Sequence, residues 1–275
     1  MLQNSYWLMV LSLVITSGIA RLALPSVLKI ITQAGFVRAN FRGDNIPVGV
    51  GLLFFLSVLC PTALLMFLEP YRTTGLIYLT ALGSMTLLGI VDDVFGSRAD
   101  SGLKGHVKKM LQGELTTGGF KLLAGGFMAL AVAAVLGGNL KTIVVNTLVI
   151  ALSINAINLL DLRPGRAGKG YLLGAVLLFL GGWPSDNLIW AVITAGALLV
   201  YLPTDLRAGA MMGDAGSNAL GAAIGITSVM VLPPSIKLGY LVFLIGFHIL
   251  TEKYSLTKII EKNKLLNYLD QLGRN

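Results

Sequence analysis

Nine predominantly apolar runs, about 5–24, 47–68, 74–91, 118–136, 140–160, 170–183, 187–203, 217–232 and 236–250, divide the 275-residue chain. A membrane-spanning helix needs about 20 such residues, and in lipid every backbone polar group must be satisfied within its own segment. The runs therefore predict an all-α, polytopic membrane helical bundle of about nine transmembrane helices. Pro70, Gly137-Gly138, Gly182-Trp183-Pro184 and Pro233-Pro234 punctuate four short turns between them. The other five connections, starting near Lys29, Asp92, Asp161, Thr204 and Thr251, are longer and polar.

With 55% hydrophobic and only 12% charged residues, the composition excludes a soluble globular domain. A net charge of +8 would suggest nucleic acid for a soluble chain, but its distribution gives another cause. Most lysines and arginines, among them Lys29, Arg38, Arg42, Lys104, Lys121, Arg163 and Lys253, fall in the long polar connections. Only Arg72, Lys141 and Lys237 fall in the opposite set. Basic residues concentrate on the cytoplasmic face, so the N-terminus is expected outside and the C-terminus in the cytoplasm, with no nucleic acid as partner. No basic region precedes the first run and no small-residue cleavage site follows it, which predicts a retained helix rather than a signal peptide. The single cysteine, Cys60, allows no disulfide framework. Residues 1–250 read as the transmembrane domain and 251–275 as a basic amphipathic cytoplasmic tail. In that tail Leu256, Ile259 and Ile260 share one helical face, as do Leu265, Leu266, Leu269 and Leu272, with lysines between.

Four polar knots interrupt this apolar chain, all on the expected cytoplasmic side. Asp92 and Asp93 close one run. Carboxylates there are costly without a positive partner, either an ion or one of Lys104, Lys108 and Lys109. Asn155, Asn158 and Asp161 recur every third residue and form one stripe on a helix. The asparagines could be interhelical hydrogen-bonding glue, whereas an ionised Asp161 needs a cation. In Met212-Gly213-Asp214-Ala215-Gly216-Ser217 a carboxylate stands between glycines where a helix begins, either as its cap or beside an ion or phosphate. The fourth knot surrounds His248. Gly165-Arg-Ala-Gly168-Lys169-Gly170 has the wrong spacing for a phosphate-binding loop, and two histidines with one cysteine supply neither a zinc cluster nor a hydrolase triad.

Taken in order, these motifs resemble those of the polyprenyl-phosphate N-acetylhexosamine-1-phosphate transferases. Ile46-Pro47-Val-Gly49-Val-Gly51 is similar to the family's Pro-Thr-x-Gly-Gly entry to the second helix. Gly89-Ile-Val-Asp92-Asp93 is similar to its aspartate pair, and Asn155-Ala-Ile-Asn158-Leu-Leu-Asp161 to its Asn-x-x-Asn-x-x-Asp segment. Met212-Gly213-Asp214-Ala-Gly216-Ser217 matches its Met-Gly-Asp-x-Gly-Ser signature. The sequence departs from the family in three places. Asp161-Leu-Arg-Pro164-Gly165 lacks the usual second aspartate, Gly96 stands where lysine is common, and His248 alone represents a histidine cluster.

The resemblance implies transfer of a phospho-amino-sugar from a UDP-linked amino sugar to a membrane polyprenyl phosphate, with release of UMP and a requirement for Mg²⁺. It implies Asp214 and Asp161 as metal ligands, and Asp92, Asp93 and Asp161 as catalytic. It further implies that Asn155, Asn158, Lys108, Lys109, Arg207 and His248 contact substrate. A prokaryotic cytoplasmic membrane, cell-envelope glycan synthesis and a homodimer are expected on the same basis. Two alternatives stay open at this level: a non-catalytic relative that holds lipid phosphate or nucleotide sugar for a partner, and a small membrane transporter.

Overall fold

The computed structural model describes residues 2–96, 105 and 109–274, with side chains from Tyr6 onward. Eleven helices among the described residues are labelled here. They are α1 Leu2–Gln33, α2 Leu52–Leu65, α3 Glu69–Phe95, α4 Thr117–Leu136, α5 Leu140–Leu160, α6 Arg166–Gly182, α7 Ile189–Leu206, α8 Gly213–Val231, α9 Pro234–Lys253, α10 Leu256–Lys262 and α11 Lys264–Gln271. Each apolar run overlaps one of α1–α9. Among the described residues, six helical segments are both long and apolar enough to cross a membrane: Tyr6–Gln33, Glu69–Phe95, Thr117–Leu136, Leu140–Leu160, Asp186–Leu206 and Pro234–Lys253. Of the nine expected spans, six meet these length and hydropathy measures; α2 is apolar but shorter, and α6 and α8 are not among the six.

Helix starts follow local chemistry. Thr116 Oγ1 accepts from Gly119 N at 3.0 Å and opens α4, and Asn139 Oδ1 accepts from Thr142 N at 2.9 Å and opens α5. Proline in the first turn, where no intrahelical N–H bond is lost, begins α3 and α9. Prolines inside helices do not end them here. α1 continues through Pro25, so Lys29 is helical rather than in a loop, and α7 continues through Pro203. Between α1 and α2 lies an antiparallel hairpin, β1 Val37–Ala39 and β2 Asn45–Pro47, in which Arg38 pairs with Ile46. Asn40 Oδ1 closes its turn by accepting from Arg42 N and Asp44 N at 2.8 and 3.0 Å.

The centre of the bundle is α8, buried continuously from Ala215 to Val229 and packed against α3, α5 and α6. Its Gly221 and Gly225, four residues apart, admit the α5 backbone: a Cβ at Gly221 would meet Ile154 Cα at 2.5 Å, and one at Gly225 would meet Ile150 Cα at 2.9 Å. Such small-residue seams supply close packing where lipid gives no hydrophobic drive for helices to associate. On the other side, Trp190 of α7 stacks on Tyr78 of α3 at 5.1 Å, and the Tyr78 hydroxyl bonds Thr194 Oγ1 and the Trp190 carbonyl.

The tail folds as two short helices instead of one, because Asn263 Oδ1 accepts from Leu265 N and Leu266 N and starts α11 anew. Asp270 ties α11 to the bundle, accepting from Arg166 Nε and Nη2 at 2.8 and 2.9 Å and from Arg274 Nη2 and Nη1 at 2.8 and 3.0 Å. Leu265, Leu266, Leu269 and Leu272 remain exposed on the apolar face. Burial alone would raise the Asp270 pKa, but the hydrogen bonds and charges of Arg166 and Arg274 outweigh it and hold the carboxyl below its ordinary value.

Two predictions follow from this packing. Gly221→Val should cost about 3 kcal/mol in thermal unfolding in detergent, by overpacking a seam with no space. Gly239→Ala, whose Cβ would meet nothing within 4 Å, should change stability by less than about 0.5 kcal/mol. For the tail, a depressed folded pKa means that the Asp270 contribution is complete at neutral pH and is lost as pH falls through that depressed value. Asp270→Asn at pH 7 should therefore speed amide hydrogen exchange across α11 while leaving α8 protected.

Candidate functional site

At one end of the bundle α3, α5 and α7 finish where α4 and α8 begin. Gly89 lets α3 approach α8 there, since a Cβ would meet Asp214 O at 2.3 Å and Ala215 Cα at 2.4 Å. One turn later the buried Asp93 carboxylate accepts from Asp214 N at 2.9 Å and from Ala215 N at 3.0 Å. It thereby satisfies two of the orphan N–H groups at the start of α8 and faces the positive end of that helix. Gly213 stands beside it with φ +68°, and a Cβ there would meet Asp93 Oδ2 at 2.4 Å. The hairpin is joined to the same helix start: Met211 N donates to Pro47 O at 2.8 Å and Gly51 N to Met212 O at 2.9 Å. Arg38 Nη2 donates to the Asp93 carbonyl at 2.5 Å.

Asp92 points elsewhere. Lys121, in the second turn of α4, places Nζ 2.8 Å from Asp92 Oδ2 and 2.7 Å from Asp214 Oδ2. The Asn158 amide, oriented so that each atom meets a complementary partner, accepts from Lys121 Nζ at 3.0 Å and donates to Asp214 Oδ1 at 2.9 Å. Four helices thus meet on one ammonium. Beside it opens a cavity of about 360 Å³, lined by Asp92, Asp93, Asn158, Asp161, Asp205 and Asp214 together with Arg38, Phe41 and Arg163. Asp161, just beyond the end of α5, has its pKa raised well above the ordinary value, by burial first and then by the carboxylates of Asp205, Asp214 and Asp93. The Asp205 carboxylate is held by Gly165 N at 2.8 Å.

The sequence reading pointed to residues that the fold partly gathers. Asp92, Asp93, Asn158, Asp161 and Asp214 all line the cavity. Asn155, Lys109, Arg207 and His248 are not among its lining residues. Asn155 sits one turn before Asn158 on α5, Arg207 ends α7, and His248 is on α9 with Nδ1 2.7 Å from Leu244 O. Lys108 lies outside the described residues. Lys121, Arg38 and Asp205 were not singled out as site residues. A lysine inside an apolar run was the available signal for Lys121.

For the Mg²⁺ that the resemblance implies, the donor set is of the right kind. Hard carboxylate and amide oxygens from three helices converge on one point, and a cation, the Lys121 ammonium, already stands there. Among the described residues no three carboxylate, imidazole or thiol groups gather into a ready-made metal cluster. Both Asp93 oxygens are engaged by backbone N–H groups, which leaves Asp92, Asp161 and Asp214 as possible donors.

No protein-family model matches the sequence. Curated phospho-N-acetylmuramoyl-pentapeptide-transferases do. Those of Clostridium botulinum strains Eklund 17B and Alaska E43 are each 26% identical over 212 residues, which cover 72% of this chain and 63% of the relative. That of Thermotoga neapolitana is 39% identical over 87 residues, covering 30% of this chain and 28% of the relative. The chain therefore spans somewhat under two thirds of the length of the clostridial relatives. With the Asp92–Asp93, Asn158 and Asp214 segments meeting at one site, the chain is a divergent relative of the phospho-N-acetylmuramoyl-pentapeptide-transferases.

Proposed function

We propose that this chain is a membrane phosphotransferase that moves a phospho-amino-sugar from a UDP-linked donor to a polyprenyl phosphate, with release of UMP. The observation that carries this reading is the convergence of Asp92, Asp214 and Asn158, all of which line the cavity, on one cation. In the reaction an oxygen of the lipid phosphate attacks the sugar-bearing phosphorus, and the bond to the UMP oxygen breaks. A phosphate monoester is largely ionised at neutral pH, with a second pKa of about 6, so the attacking oxygen needs little help from a base. The work of the protein is to align two anions and neutralise their repulsion. Arg38 and Arg163 on the cavity wall would take phosphate oxygens, and Asp93 would hold Asp214 in register. Asp92, Asp214 and the Asn158 amide oxygen, with Asp161 beside them, would hold Mg²⁺, which when bound supplies charge neutralisation on the phosphates.

The cavity opens where membrane-length helices end, so a lipid phosphate and a water-soluble nucleotide sugar could both reach it. We place the protein in a prokaryotic cytoplasmic membrane with this end in the cytoplasm and the product used in envelope glycan synthesis. A homodimer is part of the same proposal. Lys121 in the cation position favours one other reading, a relative that binds these ligands without turning them over.

Incubating the purified protein with polyprenyl phosphate, Mg²⁺ and a panel of UDP-amino sugars, with and without a peptide on the sugar, should release UMP from at least one of them. Ligand binding across the panel with no UMP from any donor would select the non-catalytic reading. Asp214→Asn should lower kcat by about 100-fold or more with thermal stability near that of the wild type. Asp93→Asn should instead lower stability, by about 1–2 kcal/mol, because it weakens the cap on α8. An Asp214→Asn variant with an unaltered rate would remove Asp214 from the metal assignment.

A further inference from the structure

We propose that the Lys121 ammonium is a tethered cation that competes with a divalent metal ion for the oxygen cage formed by Asp92, Asp214 and Asn158. The three oxygens come from α3, α8 and α5 and lie 2.8, 2.7 and 3.0 Å from Lys121 Nζ. An ammonium has three N–H donors, and these contacts use all of them. A divalent ion drawing on the same oxygens would stand on the spot that Nζ fills, so the two cations exclude each other by position and by charge. With neither present, one of the two carboxylates would have to take up a proton. Asp92 and Asp214 are largely withdrawn from water, with side chains 15% and 26% exposed, and two carboxylates this close to one point cannot both stay ionised without a positive charge between them. Lys121 supplies that charge and keeps α3, α4, α5 and α8 joined when no ion is bound. Entry of an ion frees the ammonium. The bundle end therefore has two exclusive forms, one closed by lysine and one loaded with metal, and the lysine sets how much free ion is needed to load it. The inference rests on the proposed function only for the identity of the ion.

Mn²⁺ binding to the full chain in detergent, read by electron paramagnetic resonance, tests the exchange. Lys121→Met should bind Mn²⁺ about tenfold tighter than the wild type, as expected for removal of a competitor with ordinary coupling. Lys121→Arg, which keeps the charge, should bind no tighter than the wild type, and Lys121→Met combined with Asp214→Asn should lose the gain. Equal or weaker binding by Lys121→Met, or no Mn²⁺ on either protein, would overturn the proposal. Should Lys121→Met fail to fold, the wild type carries the test alone. Saturating Mn²⁺ should then raise amine-reactive labelling of Lys121 in peptide mass spectrometry, and unchanged or reduced labelling would overturn it. Neither readout depends on turnover. Tightened Mn²⁺ binding without UMP release rejects the transferase reading and leaves the exchange standing, and UMP release without tightened binding does the reverse.

Discussion

The contact between the Asp93 carboxylate and the first turn of α8 positions everything else at the site. Burying a carboxylate costs several kcal/mol, and this one recovers part of the cost from two sources. Two charge-assisted hydrogen bonds to Asp214 N and Ala215 N each contribute about 1.5–3 kcal/mol. The positive end of α8 adds up to about 2 kcal/mol in such a partly buried geometry. The result is a joint between the end of one helix and the start of another. Gly89 permits the approach and Gly213 clears the space for the carboxylate.

That joint explains why two adjacent aspartates do unlike things. Consecutive residues on a helix point about 100° apart, so once Asp93 is turned into α8, Asp92 has to project sideways toward α4 and the cavity. There it meets Lys121 and, through Lys121, Asp214. Asp93 thus sets the position of the residues that carry charge, and Asp92 is one of them. A carboxylate that spends both oxygens on backbone N–H groups has little left to offer an ion or a substrate.

Much of this was legible in the sequence, and the exceptions have physical causes. The apolar runs marked the helices, and the polar knots marked where α3, α5 and α8 meet, because ionisable groups in such a chain persist only where they find partners. Two helix ends were placed short. The first and seventh runs were ended at residues 24 and 203, whereas α1 continues through Pro25 to Gln33 and α7 through Pro203 to Leu206, as is common where neighbouring helices can satisfy the freed backbone group. The second error hid Asp205, which belongs to the last turn of α7 and reaches the cavity. Lys121 was hidden by a sorting rule: counted among basic loop residues for orientation, it is helical, and its charge is spent on carboxylates. The hairpin that delivers Arg38 and Phe41 left no periodic signal, because strands of three residues are too short to show alternation.

The polarity of the helices at this end suits a site that handles both a cation and phosphates. α3, α5 and α7 arrive with their C-terminal ends, where exposed carbonyls favour positive charge, while α4 and α8 leave with N-terminal ends that favour negative charge. Antiparallel neighbours in an up-and-down bundle produce such a mixture at either end. At this end the sequence exploits it by adding Asp92, Asp161 and Asp205 at or next to the carbonyl ends. Lys121 follows the start of α4, and Arg38 and Arg163 line the same cavity. Backbone dipoles and side chains reinforce each other at the carbonyl ends. At the start of α8 they oppose, because Asp93 has taken the place an anion would fill. A phosphate approaching this cavity therefore finds its positive partners on Arg38, Arg163 and any cation held between Asp92 and Asp214, and not on the α8 N-terminus.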